Sequence, residues 1–146
     1  MFKSKNLEIM PSIFSKIVKG EIPCYKIAEN EKFLAFLDIN PLSLGHALVI
    51  PKEETDYIFD LNDELYNELF LFSKYLTKAI EKSVKCIRIG LVVYGLDVPH
   101  AHIHLIPLLG NNDIDFSKPK LKLSKDEFLE LSKKINKEFK NFKGDF

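Results

Sequence analysis

The spacing of apolar residues predicts a long helix in the middle of the chain. From about residue 60 to 84, apolar side chains recur three or four positions apart, so one face of a helix would carry all of them. They are Leu61, Leu65, Leu69, Phe72, Leu76, Ile80 and Val84. We therefore expect a single long helix with one buried face.

Two further helices are predicted, one on each side of this central helix. The segment PSIFSKIVKG has helical apolar spacing and ends in Gly20, a residue type that often stops helices. Towards the other end, Ser124 and Glu127 have the S-x-x-E spacing of a capping box. Apolar residues recur at helical spacing behind them, which predicts a C-terminal helix over 124–140.

Short apolar runs between these helices predict strands. The first two runs, YKIAE and KFLAFLDI, are separated by Asn30 and Glu31, which is typical of a hairpin. GHALVIP follows them, and CIRIGLVVYG and VPHAHIHLIP come after the long helix. The pattern predicts an α+β fold with about five mostly antiparallel strands, a short N-terminal helix, a long central helix and a C-terminal helix. We expect residues 1–10 to be a flexible extension and residues 11–146 to form a single domain.

Composition narrows the classes of function without selecting one. The chain has 146 residues, and its 21 basic and 21 acidic side chains balance. This balance gives no overall field that would favour nucleic acid or a membrane surface, and no apolar run approaches the roughly 18 residues of a membrane span. The two cysteines, Cys24 and Cys86, are too few for a disulfide framework. We expect a cytoplasmic enzyme or binding module.

Three of the four histidines stand at alternate positions in the stretch DVPHAHIHLIPL: His100, His102 and His104. In a strand over 98–107 they would share one face, and the apolar residues between them would share the other. Core packing does not separate two chemistries in this way. The histidines are therefore candidates for a functional site.

Three interpretations of these histidines remain open. Two neighbours such as His102 and His104 could chelate a metal ion, but the outer pair would stand about 13 Å apart along a strand. The three rings could also be half exposed on a solvated sheet face. In the third interpretation, a neutral imidazole at His102 attacks a phosphate ester and the flanking rings donate to its oxygens. His46 could join the same face if its strand lies alongside.

The segment HAHIHLIP resembles the signature of the histidine triad (HIT) family of nucleotide hydrolases and transferases. The stretch IFSKIVKGEIPCYKIAENEKFLAFLDINPLSLGHALVIPK is similar to the N-terminal half of that family. The likeness covers about residues 11–110. It implies a HIT-like domain with this motif-bearing core, and a homodimer that forms through the long helix and an edge strand.

The resemblance also implies a role for each matching residue. His102 would attack the α-phosphorus of a nucleotide and form a nucleotidyl-histidine that water then cleaves. His100 would position His102, His104 and His46 would contact phosphate oxygens, and Asp38 would bind the ribose hydroxyls. The residues matching the walls of the base pocket are Ile13, Phe14, Phe36, Leu37 and Ile39. The implied substrates are AMP- or GMP-type phosphoramidates, phosphoesters or dinucleoside polyphosphates, and no cofactor is required.

The chain departs from the family pattern at two places. Many relatives carry Cys-x-x-Cys, which helps to hold a structural zinc, where this chain has Ser12 and Ser15. With serines there, we expect no metal. A polar loop that contacts the leaving group is replaced by the shorter segment 95–97, in which Asp97 is a candidate leaving-group contact. Two alternatives to the hydrolase therefore stay open: a nucleotide-binding regulator with weak catalysis, and a metalloenzyme using His102 and His104.

Overall fold

The computed structural model describes residues 10–142 and consists of one sheet with helices on both faces. The elements are α1 Ile13–Val18, β1 Lys26–Glu29, β2 Phe33–Leu37, β3 Ala47–Pro51, a 3₁₀ turn Ile58–Asp60, α2 Asp63–Ser83, β4 Arg88–Val92, β5 Ile103–Leu108 and α3 Lys125–Asn141. The predicted α+β class is confirmed. The flexible extension predicted for residues 1–10 falls, apart from Met10, outside the described residues.

Each helix begins at a polar cap. The side chain of Asn62 accepts a hydrogen bond from the backbone N–H of Leu65 at 2.8 Å, so α2 begins just after the 3₁₀ turn. Ser124 accepts from the N–H of Glu127 at 3.1 Å, which gives the predicted capping box. Among residues 10–142, no helix combines the length and apolar character needed to span a membrane.

All strand pairs of the sheet are antiparallel, in the order β1-β2-β3-β5-β4. The alternation along each strand separates two apolar clusters. In β3, Ala47 and Val49 belong to the large core that also contains the buried faces of α2 and α3. Leu48 and Ile50 belong to a smaller cluster, to which α1 contributes Phe14. Because this second cluster is small, the sheet face that carries α1 can also hold a functional site.

The last strand begins later than the expected range 98–107, because it starts at Ile103. In the register of β3 and β5, Val49 pairs with Ile103, so a longer ladder would set Ile50 opposite His102 and then Pro51 opposite Ala101. Pro51 has no N–H and cannot extend the ladder. The N–H of Ala101 instead donates to the carbonyl of Thr55 at 2.6 Å. The alternation nevertheless continues, since Ala101 and Ile103 both lie in the large core.

We predict that the large core depends strongly on Leu76 of α2, whose side chain is fully buried. Leu76→Ala should lower the free energy of unfolding by about 2–5 kcal/mol, because it leaves a cavity against the sheet. Urea unfolding at a fixed protein concentration measures this. Leu71→Ala is the matched control, since Leu71 is on the same helix and 47% exposed. Equal losses in the two variants would contradict the assigned packing of α2.

Candidate active site

A cavity of about 490 Å³ lies on the sheet face that carries α1. It is lined by all five predicted base-pocket residues and by Asp38, Asp97, His102 and His104. His46 and His100 are buried next to these residues but do not line the cavity. The structure thus brings the predicted site residues to one place, with two of the four histidines in supporting positions.

One end of the cavity is apolar. Phe14 and Phe36 pack edge to face, with ring centroids 5.6 Å apart. Ile13 and Ile39 are 49% and 65% exposed, so they form the mouth rather than the floor. Leu37 differs from the other four, because it belongs to the large core on the face of the sheet that packs against α2 and α3. These apolar walls suit an aromatic or other apolar group of a ligand.

His102 lies at the other end of the cavity with its ring held in one orientation. Its Nδ1–H donates to the backbone carbonyl of His100 at 2.7 Å. The ring of Phe14 packs edge to face on His102 with centroids 5.2 Å apart. Because a carbonyl only accepts, the proton of the neutral ring is on Nδ1. The lone pair is therefore on Nε2, where a nucleophile or base requires it.

His46 and His104 form a second chain of hydrogen bonds with one direction. The N–H of Leu42 donates to His46 Nδ1 at 3.0 Å, so the proton of the neutral His46 ring is on Nε2. This Nε2–H donates to His104 Nδ1 at 2.9 Å, which puts the His104 proton on its own Nε2. That Nε2 is buried and has no hydrogen-bond partner within residues 10–142. This N–H can therefore donate a hydrogen bond to a bound ligand.

His46 occupies a different position from the expected one, in which it would contact phosphate oxygens. Both of its ring nitrogens are engaged by protein atoms, and His104 stands between it and the cavity. In this arrangement His46 fixes the proton of His104. Sequence reasoning places both histidines on one face, but it does not reveal that one lies behind the other.

Burial keeps these histidines neutral. Desolvation, followed by the effects of the neighbouring His104 and of Lys120, lowers the pKa of His46 to about 3. Desolvation, followed by the effect of His102, lowers the pKa of His104 to about 4. Burial also lowers the pKa of His100. At neutral pH His46 and His104 are therefore uncharged donors.

Asp38 lies at the end of β2 beside the histidines. Its Oδ1 accepts from the N–H of Asn40 at 2.8 Å, which fixes the carboxyl group in a local turn. Its Oδ2 is 3.6 Å from His46 Nε2. Burial raises the pKa of the Asp38 carboxyl above its usual range. Asp38 lines the cavity, so its carboxyl oxygens can accept further hydrogen bonds there.

Asp38, His46 and His104 also have donor atoms within 4.8 Å of one another, as a shared metal ion would require. However, His46 and His104 already share a proton across 2.9 Å, and an ion would have to replace it. The metal pair considered from the sequence, His102 and His104, has ring centroids 5.1 Å apart, and His102 is not part of this three-residue group. His102 Nδ1 is bound to a carbonyl.

Ser12 and Ser15, at the positions of the cysteine pair of many relatives, point their hydroxyl groups at His100. Ser12 Oγ lies 2.8 Å and Ser15 Oγ 3.4 Å from His100 Nδ1. His100 Nε2–H donates to the carbonyl of Pro51 at 2.8 Å. Structural zinc in proteins takes thiolates, imidazoles and carboxylates. Two neutral hydroxyl groups therefore do not fit such a centre.

The structure adds residues that the sequence did not indicate. Phe116 packs on the rings of His104 and Tyr94 with centroid distances of 5.1 and 5.0 Å, and Lys120 lines the cavity. The ring of Tyr94 stacks on His104, and its hydroxyl donates to Asp97. Phe116 and Lys120 belong to an irregular segment after β5. No spacing pattern marks them, because their role depends on contacts distant in sequence.

Comparison with known proteins gives consistent matches over the sheet and the cavity. A model of the HIT domain matches residues 19–110. The adenosine 5′-monophosphoramidase of Schizosaccharomyces pombe is 38% identical over 133 residues, covering 90% of this chain and 100% of the relative. A HIT-like protein of Borreliella burgdorferi is 37% identical over 132 residues, covering 85% of this chain and 95% of the relative.

A solved structure gives the same result. The crystal structure of a hypothetical histidine triad nucleotide-binding protein from Sulfolobus tokodaii superimposes with a TM-score of 0.81 at 31% identity. The superposition covers 91% of this chain and 97% of that chain. Phe116 and Lys120 lie beyond the segment that the family model matches.

We predict that acid destabilises the fold between pH 6.5 and 5. His46 and His104 have folded-state pKa values of about 3 and about 4, whereas in the unfolded chain they take up protons near pH 6.5. Their contribution to stability is thus present above pH 6.5 and is lost as the pH falls, by about 1–2 kcal/mol per histidine down to pH 5. Urea unfolding at pH 7 and pH 5 measures the loss.

His104→Asn should show a smaller loss between these two pH values than the native protein. The raised pKa of Asp38 acts in the opposite sense, and measuring at pH 5 and above limits its effect. An unchanged free energy of unfolding between pH 7 and pH 5 would contradict the neutral state of the buried histidines.

Proposed function

Because the chain belongs to the HIT family, we propose that it hydrolyses nucleotides through a covalent intermediate on His102. One observation carries the proposal: His102, with its lone pair on Nε2, and His104, with its proton on Nε2, both line the cavity with ring centroids 5.1 Å apart. A nucleophile and a donor side by side are what attack on a phosphorus atom needs. The S. pombe relative, named as an adenosine 5′-monophosphoramidase, supports a substrate of this class.

In the first step, the lone pair of His102 Nε2 forms a bond to the α-phosphorus. The bond from phosphorus to the leaving group breaks, and the leaving group keeps the electron pair and takes a proton from water. The Nε2–H of His104 donates to a phosphoryl oxygen and stabilises the charge that builds there. His46 keeps the His104 proton on that nitrogen.

In the second step, a water oxygen attacks the phosphorus of the nucleotidyl-histidine. The bond between phosphorus and His102 Nε2 breaks, its electron pair returns to the ring, and a proton of the water passes to solvent. The hydrogen bond from His102 Nδ1 to the His100 carbonyl is kept in both steps, so the ring does not turn.

The remaining cavity residues are assigned by chemistry. The two carboxylate oxygens of Asp38 suit a vicinal ribose diol, and the apolar end of the cavity walled by Phe14 and Phe36 suits a purine base. We assign AMP- or GMP-type phosphoramidates, phosphoesters or dinucleoside polyphosphates as substrates, without a cofactor. Asp97, held by the Tyr94 hydroxyl at the cavity, is the proposed leaving-group contact. The cytoplasmic location stays a prediction.

We also propose a homodimer. Strand β4 lies at one edge of the sheet, and it leaves Leu91 47% exposed, with Ile87 just before it 71% exposed. An edge strand with exposed apolar side chains is a surface that another strand can cover. Pairing of β4, which packs against α2, with a second copy would bury these side chains.

The hydrolase is tested with adenosine 5′-phosphoramidate in the presence of a chelator. His102→Asn should lower kcat by at least about 10³-fold, since Asn offers no nucleophilic lone pair, while AMP binding measured by calorimetry is retained. Normal turnover in His102→Asn would overturn the mechanism. Loss of native activity with chelator would favour a metalloenzyme. Tight AMP binding without turnover of phosphoramidates or dinucleoside polyphosphates would favour the regulator.

The dimer is tested by sedimentation at micromolar concentration. The native chain should sediment as a dimer, and Leu91→Glu should shift it towards monomer because it places a charge in the apolar edge. Leu129→Glu is the control, because Leu129 is 45% exposed on α3, away from β4. A native monomer would contradict the proposal.

A further inference from the structure

The turn that follows β3 holds the backbone of the catalytic segment at two points. The carbonyl of Pro51 accepts from the His100 ring at 2.8 Å. The carbonyl of Thr55 accepts from the N–H of Ala101 at 2.6 Å. Between these two acceptors lies Glu54, whose carboxylate points towards the start of α1. The turn therefore supplies acceptors both to the side chain of His100 and to the backbone next to it.

Glu54 is the common acceptor for two serines. Its Oε1 accepts from the backbone N–H of Ser12 and, at 2.8 Å, from the hydroxyl of Ser15. Ser12 Oγ in turn accepts from the N–H of Ser15 at 2.9 Å, as the cap of α1. With the Ser15 proton committed to Glu54, the Ser12 hydroxyl is the one that donates to His100 Nδ1.

These bonds form a chain with a single direction. An ionised carboxylate only accepts, and so does the carbonyl of Pro51, so His100 is protonated on Nε2 and unprotonated on Nδ1. The hydrogen bonds to Glu54, led by the one from the Ser12 N–H, lower the pKa of its carboxyl. Glu54 therefore remains an acceptor at neutral pH. Nothing in the proposed chemistry requires Glu54 to touch the substrate.

We propose that Glu54 is a positioning residue that acts through Ser12 and Ser15 on His100, and through the His100 carbonyl on the orientation of His102. The kinetic part of this inference rests on the proposed function. The proton positions on the two rings do not. A second path has the same origin, because α1 is anchored at Ser12 and carries Phe14, whose ring packs on both His100 and His102.

The kinetic test compares Glu54→Ala with Glu54→Gln, using AMP release from adenosine 5′-phosphoramidate. Glu54→Ala should lower kcat about tenfold or more because the nucleophile is misplaced, and any rise in KM through Phe14 of α1 should be smaller than the fall in kcat. Glu54→Gln should recover at least half of the native kcat, since its amide oxygen accepts both bonds. Glu53→Ala is the control, because Glu53 is the exposed neighbour on the same turn.

Two kinetic results would overturn the inference: a native kcat in Glu54→Ala, or an equal loss of kcat in Glu54→Gln and Glu54→Ala. Thermal unfolding of each variant accompanies the kinetics. Glu54 is exposed, so its loss should cost little folding free energy, and the fall in kcat should occur without a matching fall in Tm.

The second readout is the imidazole proton itself, observed by long-range ¹H–¹⁵N NMR of the full chain without substrate. The native protein should show His100 protonated on Nε2 and His102 on Nδ1. In Glu54→Ala the Pro51 carbonyl should keep the His100 proton on Nε2, while the His100 Nδ1 signal shifts and the His102 Nδ1–H signal broadens. Unchanged ring signals in Glu54→Ala would overturn the positioning role. A native protein that releases no AMP would overturn the proposed function alone, and the NMR comparison would still decide the role of Glu54.

Discussion

The hydrogen bond of 2.7 Å from His102 Nδ1 to the backbone carbonyl of His100 is the interaction on which the site depends. It sets both the direction of the ring and the nitrogen that keeps the lone pair. A backbone acceptor suits this task, because it moves only if the chain moves. The chain is held here at Ala101 by Thr55 and at the His100 ring by Pro51 and Ser12.

The sheet limits the cost of this arrangement to folding stability, because it keeps the apolar core and the histidines on opposite faces. Ala101, Ile103 and Leu105 pack into the large core, while the alternate residues face α1 and the cavity. Burial on the cavity side would penalise charged imidazoles strongly, and it leaves His46 and His104 neutral. Each ring nitrogen of these residues except His104 Nε2 then has a partner within the described chain.

The helices and strands, and the sheet face that carries each histidine, could be predicted from the sequence because both follow from local periodicity. The sequence placed the start of β5 too early, since the effect of Pro51 on the ladder depends on register with another strand. It could not find Glu54, which is 42 positions from Ser12, or Phe116 in an irregular segment. Contacts of that kind depend on how the elements pack, and no repeat in the chain encodes them.

The neutrality of His104 has a consequence for what the cavity releases. Besides the histidines, the acidic and basic side chains lining the cavity are Asp38, Asp97 and Lys120, two acids against one base. A mononucleotide product carrying a phosphate dianion gains little Coulomb attraction there, and is held by stacking and by directional donors. Because salt screens the repulsion between an acidic lining and a dianion, the affinity for such a product should not fall as ionic strength rises, under the proposed chemistry.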